Sequence, residues 1–525
     1  MISINITVPY EYGTEDLYDA VCAHIPVSKD EIFNLEIRRA VLDFAESAPI
    51  YKMNAVLTLS EEREAGLLKM RKKVFLADSL DFSVPTVKGE RPVVVGAGPA
   101  GLFAALVLAE GGLCPIVLER GESVEERLKR VSAFFGSGIL DTESNIQFGE
   151  GGAGTFSDGK LKVGAIDKYK YKVLSEFSSA GAPEEIKYKV GSHLGTDKLP
   201  DIVKKIREKI VSLGGEVLFG ARLTDLSLKN GAVSAVRYER GGKSFELPCD
   251  RLVLAIGHSA RDTFGMLYER GIPMEAKGFG IGVRIEHPRE YIDSLVYGGH
   301  KSALPVGASY HLVTHLTSGR SVYSFCMCPG GTVVAAANET EGVVTNGMSE
   351  YSRSGDNSNA AFLVSVTPED FPDSTALGGF ALQRSVERAA YLAGGGEYRA
   401  PAIRMDTFMG TGQADTNSVK PTYPRGVITS DMNECMPGFI TDSLRSAITD
   451  FDDYMPGFYY PDAILTASET RSTSPVRILR GGNMEALGIG GLYPIGEGAG
   501  YAGGIVSSAT DGVRCAEKII LSLYK

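Results

Sequence analysis

The chain has 525 residues, and 54 Lys and Arg against 65 Asp and Glu leave a formal net charge of −11, a balance that excludes a generally basic nucleic-acid binder. With 43% apolar and 23% charged residues the composition excludes disorder and coiled coil, and the length predicts roughly two to four domains. Glycine contributes 62 residues, well above its usual share, so tight turns and close backbone approaches to a ligand are expected.

No apolar run reaches the roughly 18 residues that span a bilayer, and Met1–Tyr10 lacks the basic-then-apolar order of a secretion signal. The expectation is a cytoplasmic protein without a membrane partner. Seven scattered cysteines without a CxxC pair support neither a disulfide framework nor a metal site.

Residues 1–88 read as a small α+β domain. Ile2, Ile4, Ile6 and Val8 alternate with polar residues, Thr14-Glu15-Asp16 caps a helix through His24, and Met53 to Leu59 repeat the strand period. Ser60 then caps a helix with Glu61 and Glu62 at its start and Arg71, Lys72 and Lys73 at its end. The order predicted is strand-helix-strand-helix-strand. The basic pairs here read as a solvated face.

After a short linker comes RPVVVGAGPAGLFAALVLAEGGLCPIVLERG. Val93–Val95 make a buried strand, Gly96-x-Gly98-x-x-Gly101 turns into the helix Leu102–Glu110, and Cys114–Leu118 make the next strand. Gly96 permits the turn, Gly98 admits a pyrophosphate to the helix N-terminus, and Gly101 lets helix and strand pack closely. Pro99, Ala100 and Arg120 belong to the same set. Glu119 lies about twenty residues past Gly101, where a carboxylate accepts hydrogen bonds from a ribose diol and disfavours a 2′-phosphate.

Far downstream, GLYPIGEGAGYAGGI (Gly491–Ile505) precedes a final helix. With the N-terminal glycines it resembles the flavin-binding close of the glutathione-reductase-like FAD oxidoreductases. The resemblance implies that Gly496 and Glu497 meet the ribityl chain and that Gly503, Gly504 and Ile505 face the flavin N1/O2 edge. It also implies an adenine contact through Leu223 and a second cofactor contact at Gly257. A helix N-terminus there would stabilise negative charge on a reduced flavin.

EGGAGTFSDGKL (150–161), SHLGTD (192–197), FCMCPGG (325–331), TNGMS (345–349) and ETRSTSPVRI (469–478) together make most of the chain similar to bacterial FAD-dependent dehydrogenases with an extra N-terminal domain. That resemblance implies FAD and the fold and leaves the substrate open.

In the loop 150–161, Gly152, Gly154, Thr155, Ser157, Gly159, Lys160 and Leu161 suit wrapping a flavin or pyrophosphate with backbone and hydroxyl donors. Lys160 is either a charge beside the flavin or a surface lysine. Cys326 and Cys328 share a strand face, yet positions i and i+2 lie roughly 6.6 Å apart, near the limit for a disulfide, so two packed thiols are expected. Arg471 and Arg477 either clamp a substrate carboxylate or phosphate or pair with a neighbouring acid. His193 is a candidate proton donor, and Asn346 and Arg353 follow on the same logic.

The expected fold is α/β: a discontinuous Rossmann-like FAD-binding domain (89–276 and 466–525), an inserted β-rich substrate domain (277–465) without a second GxGxxG, and the N-terminal α+β domain. The expected activity is hydride transfer between flavin and a small organic substrate, with NAD(P)H as a transient reductant. An RNA-modifying flavoprotein, against which the charge counts, and a non-catalytic flavin-binding regulatory protein are the alternatives. The oligomeric state is open.

Overall fold

The computed structural model describes residues 1–44, 48–70, 73–161, 164–304, 307–412 and 418–524. By packing, the chain divides into two units.

The smaller unit is Met1–Ser83 with Lys160–His193 and Tyr297–Pro305. Its elements run β1 (Ile2–Pro9), α1 (Thr14–His24), β2 (Asn34–Asp43), β3 (Ile50–Thr58), α2 (Glu61–Leu67) and β4 (Phe75–Leu76). One antiparallel sheet results, in the order β2-β3-β1-β4, the split β-α-β arrangement of ferredoxin-like domains. The alternation in β1 buries Ile2, Ile4, Ile6 and Val8 against Met53, Ala55 and Leu57, each side chain worth about 1.5–3 kcal/mol.

One strand more than predicted is present. In β2 a register shift between Ile37 and Arg39 breaks the alternation, and only Ala40 is fully buried, so the period that reveals β1 is missing. Helix α1 is capped at Gly13, whose N–H donates to Asp16, while Ser60 accepts from the Arg63 N–H as expected. Helix α2 ends at Leu67; Arg71 and Lys72 lie outside the described residues. Lys160–His193 joins this unit through Ala40, whose N–H donates to the Tyr188 carbonyl and whose carbonyl accepts from Val190.

The larger unit is Val84–Gly159, Leu194–Val296 and Val306–Lys525. Its first layer runs β5 (Val93–Val95), α3 (Pro99–Glu110), β6 (Ile116–Leu118), α4 (Val124–Ser137) and β7 (Glu216–Leu218), then a meander β8 (Ala221–Lys229), β9 (Ala232–Arg240) and β10 (Lys243–Pro248), then β11 (Leu252–Leu254). The strand Leu492–Pro494 completes a parallel five-stranded sheet in which it, β11, β5, β6 and β7 are successive neighbours. Helix α3 is apolar all round and buried from Ala100 to Ala109, as a helix covered on both sides must be. The final helix Ile505–Leu523 packs on it.

Most of the region expected to form a separate substrate domain packs in this same unit. It builds a seven-stranded sheet centred on Phe279–Pro288, flanked by Asn357–Val366 and Ile464–Glu469. The core of this sheet is apolar, yet Arg284, Glu286 and His287 lie fully buried on its central strand. Among the described residues no helix is long and apolar enough to cross a membrane.

Candidate functional site

Three parallel strands end in glycine turns on the same edge: β5 into Gly96, β11 into Ala255–Gly257, and Leu492–Pro494 into Gly496–Gly498. Ligands of open α/β sheets bind at that carboxyl edge. Contacts between the turns explain the glycines. Gly96 has φ +98, and a Cβ on it would strike the Ala255 carbonyl; one on Gly101 would strike the Gly96 carbonyl, and one on Gly498 the Gly257 carbonyl.

The loop 149–157 closes the constellation. A Cβ on Gly152 would come 3.1 Å from Gly98 Cα, and one on Gly154 would come 2.9 Å from Ile505 Cγ1. The segments singled out at Gly96–Gly101, Gly152–Ser157, Gly257 and Gly496–Ile505 are thus brought together. Helices α3 and Ile505–Leu523 begin beside this loop, with Gly98 and Gly504 as N-caps that offer no side-chain acceptor. Their first N–H groups point outward for an anion.

These features fit a dinucleotide. Gly98 would tolerate a Cβ as far as the fold is concerned, the nearest atom being Gly152 Cα at 3.7 Å, so its bareness leaves space rather than relieving a clash. Thr155 Oγ1 is buried without a hydrogen-bond partner, an orphan that a ligand oxygen would satisfy. Ser157 is committed, donating to the Gly154 carbonyl at 2.7 Å and accepting from Gly159 N–H at 3.0 Å.

Glu119 is buried and braces the turn. It accepts from Ala97 N–H at 2.7 Å and from Gly121 and Gly149 N–H, both at 2.9 Å. A carboxylate offers about four acceptor positions, so one remains for a ribose hydroxyl. Arg120 pairs with Glu143 and Asp262 and lies 4.1 Å over the Phe148 ring. Leu223 is buried on β8 opposite Tyr238.

Glu497 is part-buried between two glycines, and burial pushes its carboxyl up to about 7, with Lys277 opposing and Cys326 adding to the shift. Lys277 in turn is lowered by burial and by Arg477. Arg477 stands on the strand Val476–Ile478, 3.5 Å from Glu275 and 5.6 Å over the Tyr501 ring, with a buried Nε that has no partner. A small charged group of Glu497, Lys277 and Arg477 therefore flanks the C-terminal turn.

Arg471 sits elsewhere. It is buried, bonds Glu387 through Nε at 3.0 Å and Nη2 at 2.9 Å, and donates from Nη1 to Ser259 and Asn338. All three nitrogens are engaged, the acid pairing that the sequence left open beside a substrate clamp. Arg261 holds the same carboxylate from the other side. Lys160, Leu161 and His193 fall in the smaller unit, where Lys160 and His193 are bridged through their backbones and Leu161 N–H donates to the Ser192 carbonyl. Asn346 accepts from Arg284 at 3.0 Å, and Arg353 pairs with Asp158.

Two features escaped the sequence reading. Arg127 on α4 is fully buried and donates to the carbonyls of Asn145, Ile146, Gly149, Glu150 and Gly152, so one side chain shapes the glycine loop. A signal existed: Val124, Arg127, Val131 and Phe134 share the buried helix face, and an arginine in that stripe asks for buried acceptors. The second is the buried pair of Arg284 and Glu469, bidentate at 3.0 and 3.2 Å. Cys326 and Cys328 depart from the straight strand expected: the register shifts between Phe325 and Cys328, and Cys326 has φ +42. A bulge bends the strand between the two thiols. None of the seven cysteines is in a disulfide, and no metal-binding cluster occurs among the described residues.

An uncharacterised protein of Clostridium beijerinckii (strain ATCC 51743 / NCIMB 8052) is 43% identical over 525 residues, covering 98% of each chain. Solved structures with likeness include a flavoprotein/dehydrogenase from Cytophaga hutchinsonii, 12% identical over 83% of this chain and 79% of that one at a TM-score of 0.37. Another is a geranylgeranyl bacteriochlorophyll reductase-like protein from Thermoplasma acidophilum, 11% identical over 84% and 80% at 0.37. Neither places a residue of this chain. Residues 278–472 match the family model described as FAD-dependent protein, C-terminal domain-like. The chain belongs to that family of FAD-dependent proteins.

Proposed function

We propose that the protein is an FAD-dependent oxidoreductase passing hydride between the flavin and a small organic substrate, with NAD(P)H as a transient reductant. The observation that carries this reading is the convergence of two uncapped helix N-termini and the loop 149–157 at the carboxyl edge of the parallel sheet. FAD, when bound, supplies the hydride chemistry.

The residues divide the work. Backbone N–H groups at Gly98, Ala100, Gly101, Ala153 and Gly154 hold the pyrophosphate, Pro99 contributing shape and no donor, while the Gly152 and Thr155 N–H groups are engaged within the loop. Glu119 takes a ribose hydroxyl, and Leu223 meets adenine through its backbone. Glu497 accepts from the ribityl hydroxyls, and the N–H groups of Gly504 and Ile505 stabilise negative charge at the ring edge, the Gly503 N–H being engaged by Ser507 Oγ. Lys277 and Arg477 supply positive charge beside Glu497, which suits an anionic substrate. Nucleic acid is no part of this reading, given the net charge of −11.

Anaerobic titration of the flavin-loaded protein with NADH and NADPH tests it. Bleaching of the flavin bands is expected. A flavin that no nicotinamide and no metabolite in a broad screen reduces would overturn the enzymatic reading in favour of a structural cofactor.

A further inference from the structure

The strand Ser321–Cys328 carries a bulge at its end. Its register against Asn357–Val366 shifts between Phe325 and Cys328, and Cys326 adopts φ +42, a conformation that crowds a residue with a Cβ. The bulge bends a strand that, straight, would space the pair by ~6.6 Å. The Cys326 side chain is the largest influence on the Cys328 thiol, and Cys328 Sγ donates to the Cys326 carbonyl at 3.4 Å.

The bulge is held from below. Arg284 Nη1 donates to the Cys326 carbonyl at 2.8 Å and to Asn359 at 3.2 Å, while Nε and Nη2 hold Glu469 and Asn346. The Cys326 side chain and burial hold the Cys328 thiol above its ordinary range, with Arg284 opposing, so Cys328 waits in its protonated form. Exposure differs across the pair, Cys326 being partly exposed and Cys328 buried. That is the order a dithiol needs, an attacking sulfur outside and a resolving sulfur within. Cys326 also lies close enough to Glu497 for its charge to bear on that carboxyl, so the pair adjoins the group that flanks the C-terminal turn.

We propose that Cys326 and Cys328 form a reversible dithiol–disulfide couple that exchanges with small-molecule disulfides, Cys326 attacking and Cys328 resolving. The Cys326 thiolate attacks one sulfur of the small disulfide, forms a mixed disulfide and expels one thiolate. Cys328 Sγ then attacks Cys326 Sγ, its proton passing to the second thiolate as that leaves. Two protein thiols lose two electrons and form one S–S bond; one small disulfide gains them and becomes two thiols. The couple does not depend on the flavin reading.

The full-length protein, incubated with glutathione disulfide, quenched in acid, alkylated after denaturation and mapped by peptide mass, tests this. The peptide holding both residues is expected to lose both alkylation sites and two hydrogens, reversibly with dithiothreitol, while Cys249, Cys435 and Cys515 stay alkylatable. Flavin measured in the same sample separates this result from the cofactor reading. Cys328→Ser should trap glutathione on Cys326, and Cys326→Ser should leave Cys328 unmodified. Full alkylation of both residues in the native sequence, or no glutathione on Cys326 in Cys328→Ser, overturns the proposal.

Discussion

Arg127 on α4 donates to the carbonyl of Gly152 at 2.9 Å, the centre of a set of bonds that ties residues 145–152 to a single guanidinium. Burial pulls its pKa down to about 10, with Glu119 and Glu150 opposing, so it stays charged at neutral pH. Arg127→Met keeps much of the volume but leaves several buried carbonyls without donors. The expected cost is about 3 kcal/mol or more, together with loss of flavin at concentrations that saturate the native protein. Urea unfolding and flavin content measure the two effects.

Gly98 and Gly101 separate ligand space from fold space. A Cβ on Gly98 meets only Gly152 Cα at 3.7 Å, whereas one on Gly101 strikes the Gly96 carbonyl. Gly98→Val is expected to melt within a few degrees of the native protein yet retain no FAD, and Gly101→Val to be destabilised with or without cofactor. Normal flavin content in Gly98→Val would remove the pyrophosphate from this turn.

Arg471→Ala leaves the buried Glu387 with Arg261 as its cation and the Thr470 hydroxyl as its remaining donor. Burial pushes the Glu387 carboxyl up, and the two arginines together carry it well below the usual carboxylate range. Removing one partner from such a buried pair costs about 3–5 kcal/mol, so the melting temperature should fall clearly. Arg477→Ala, partly exposed, should leave the melt near native and act on substrate-dependent flavin reduction instead. Native stability in Arg471→Ala would show that its bonds are dispensable.

His287 gives a pH dependence of definite sign. Burial lowers its pKa to about 4, the bond to the Phe458 carbonyl opposing. A folded pKa below the unfolded value of about 6.5 means stability that is present above 6.5 and lost as pH falls toward 4, by up to about 3 kcal/mol. His258, lowered to about 3 by burial and by Arg471 and Arg261, adds to the same loss. Unfolding free energies at pH 7 and 4.5 should diverge less in His287→Phe than in the native chain; equal slopes would contradict the assignment.

Much of this was legible in the sequence because it rests on local period and on glycine. The alternation of Ile2 to Val8, the turn Gly96–Gly101 and the helix after Gly504 each announce themselves within a dozen residues. Strand β2 did not, because its bulge at Ile37 scrambles the period. The partners of Arg471 did not, because Glu387, Ser259 and Asn338 lie far away along the chain. The bulge at Cys326 is not legible either, because one left-handed residue inside an apolar strand leaves the sequence period unchanged.

The visible spectrum of the purified protein, followed by reconstitution with FAD, tests the central claim most directly. The account predicts flavin absorption bands from bound FAD, either as purified or after reconstitution, with release of FAD on denaturation. A colourless protein that takes up no FAD would contradict it.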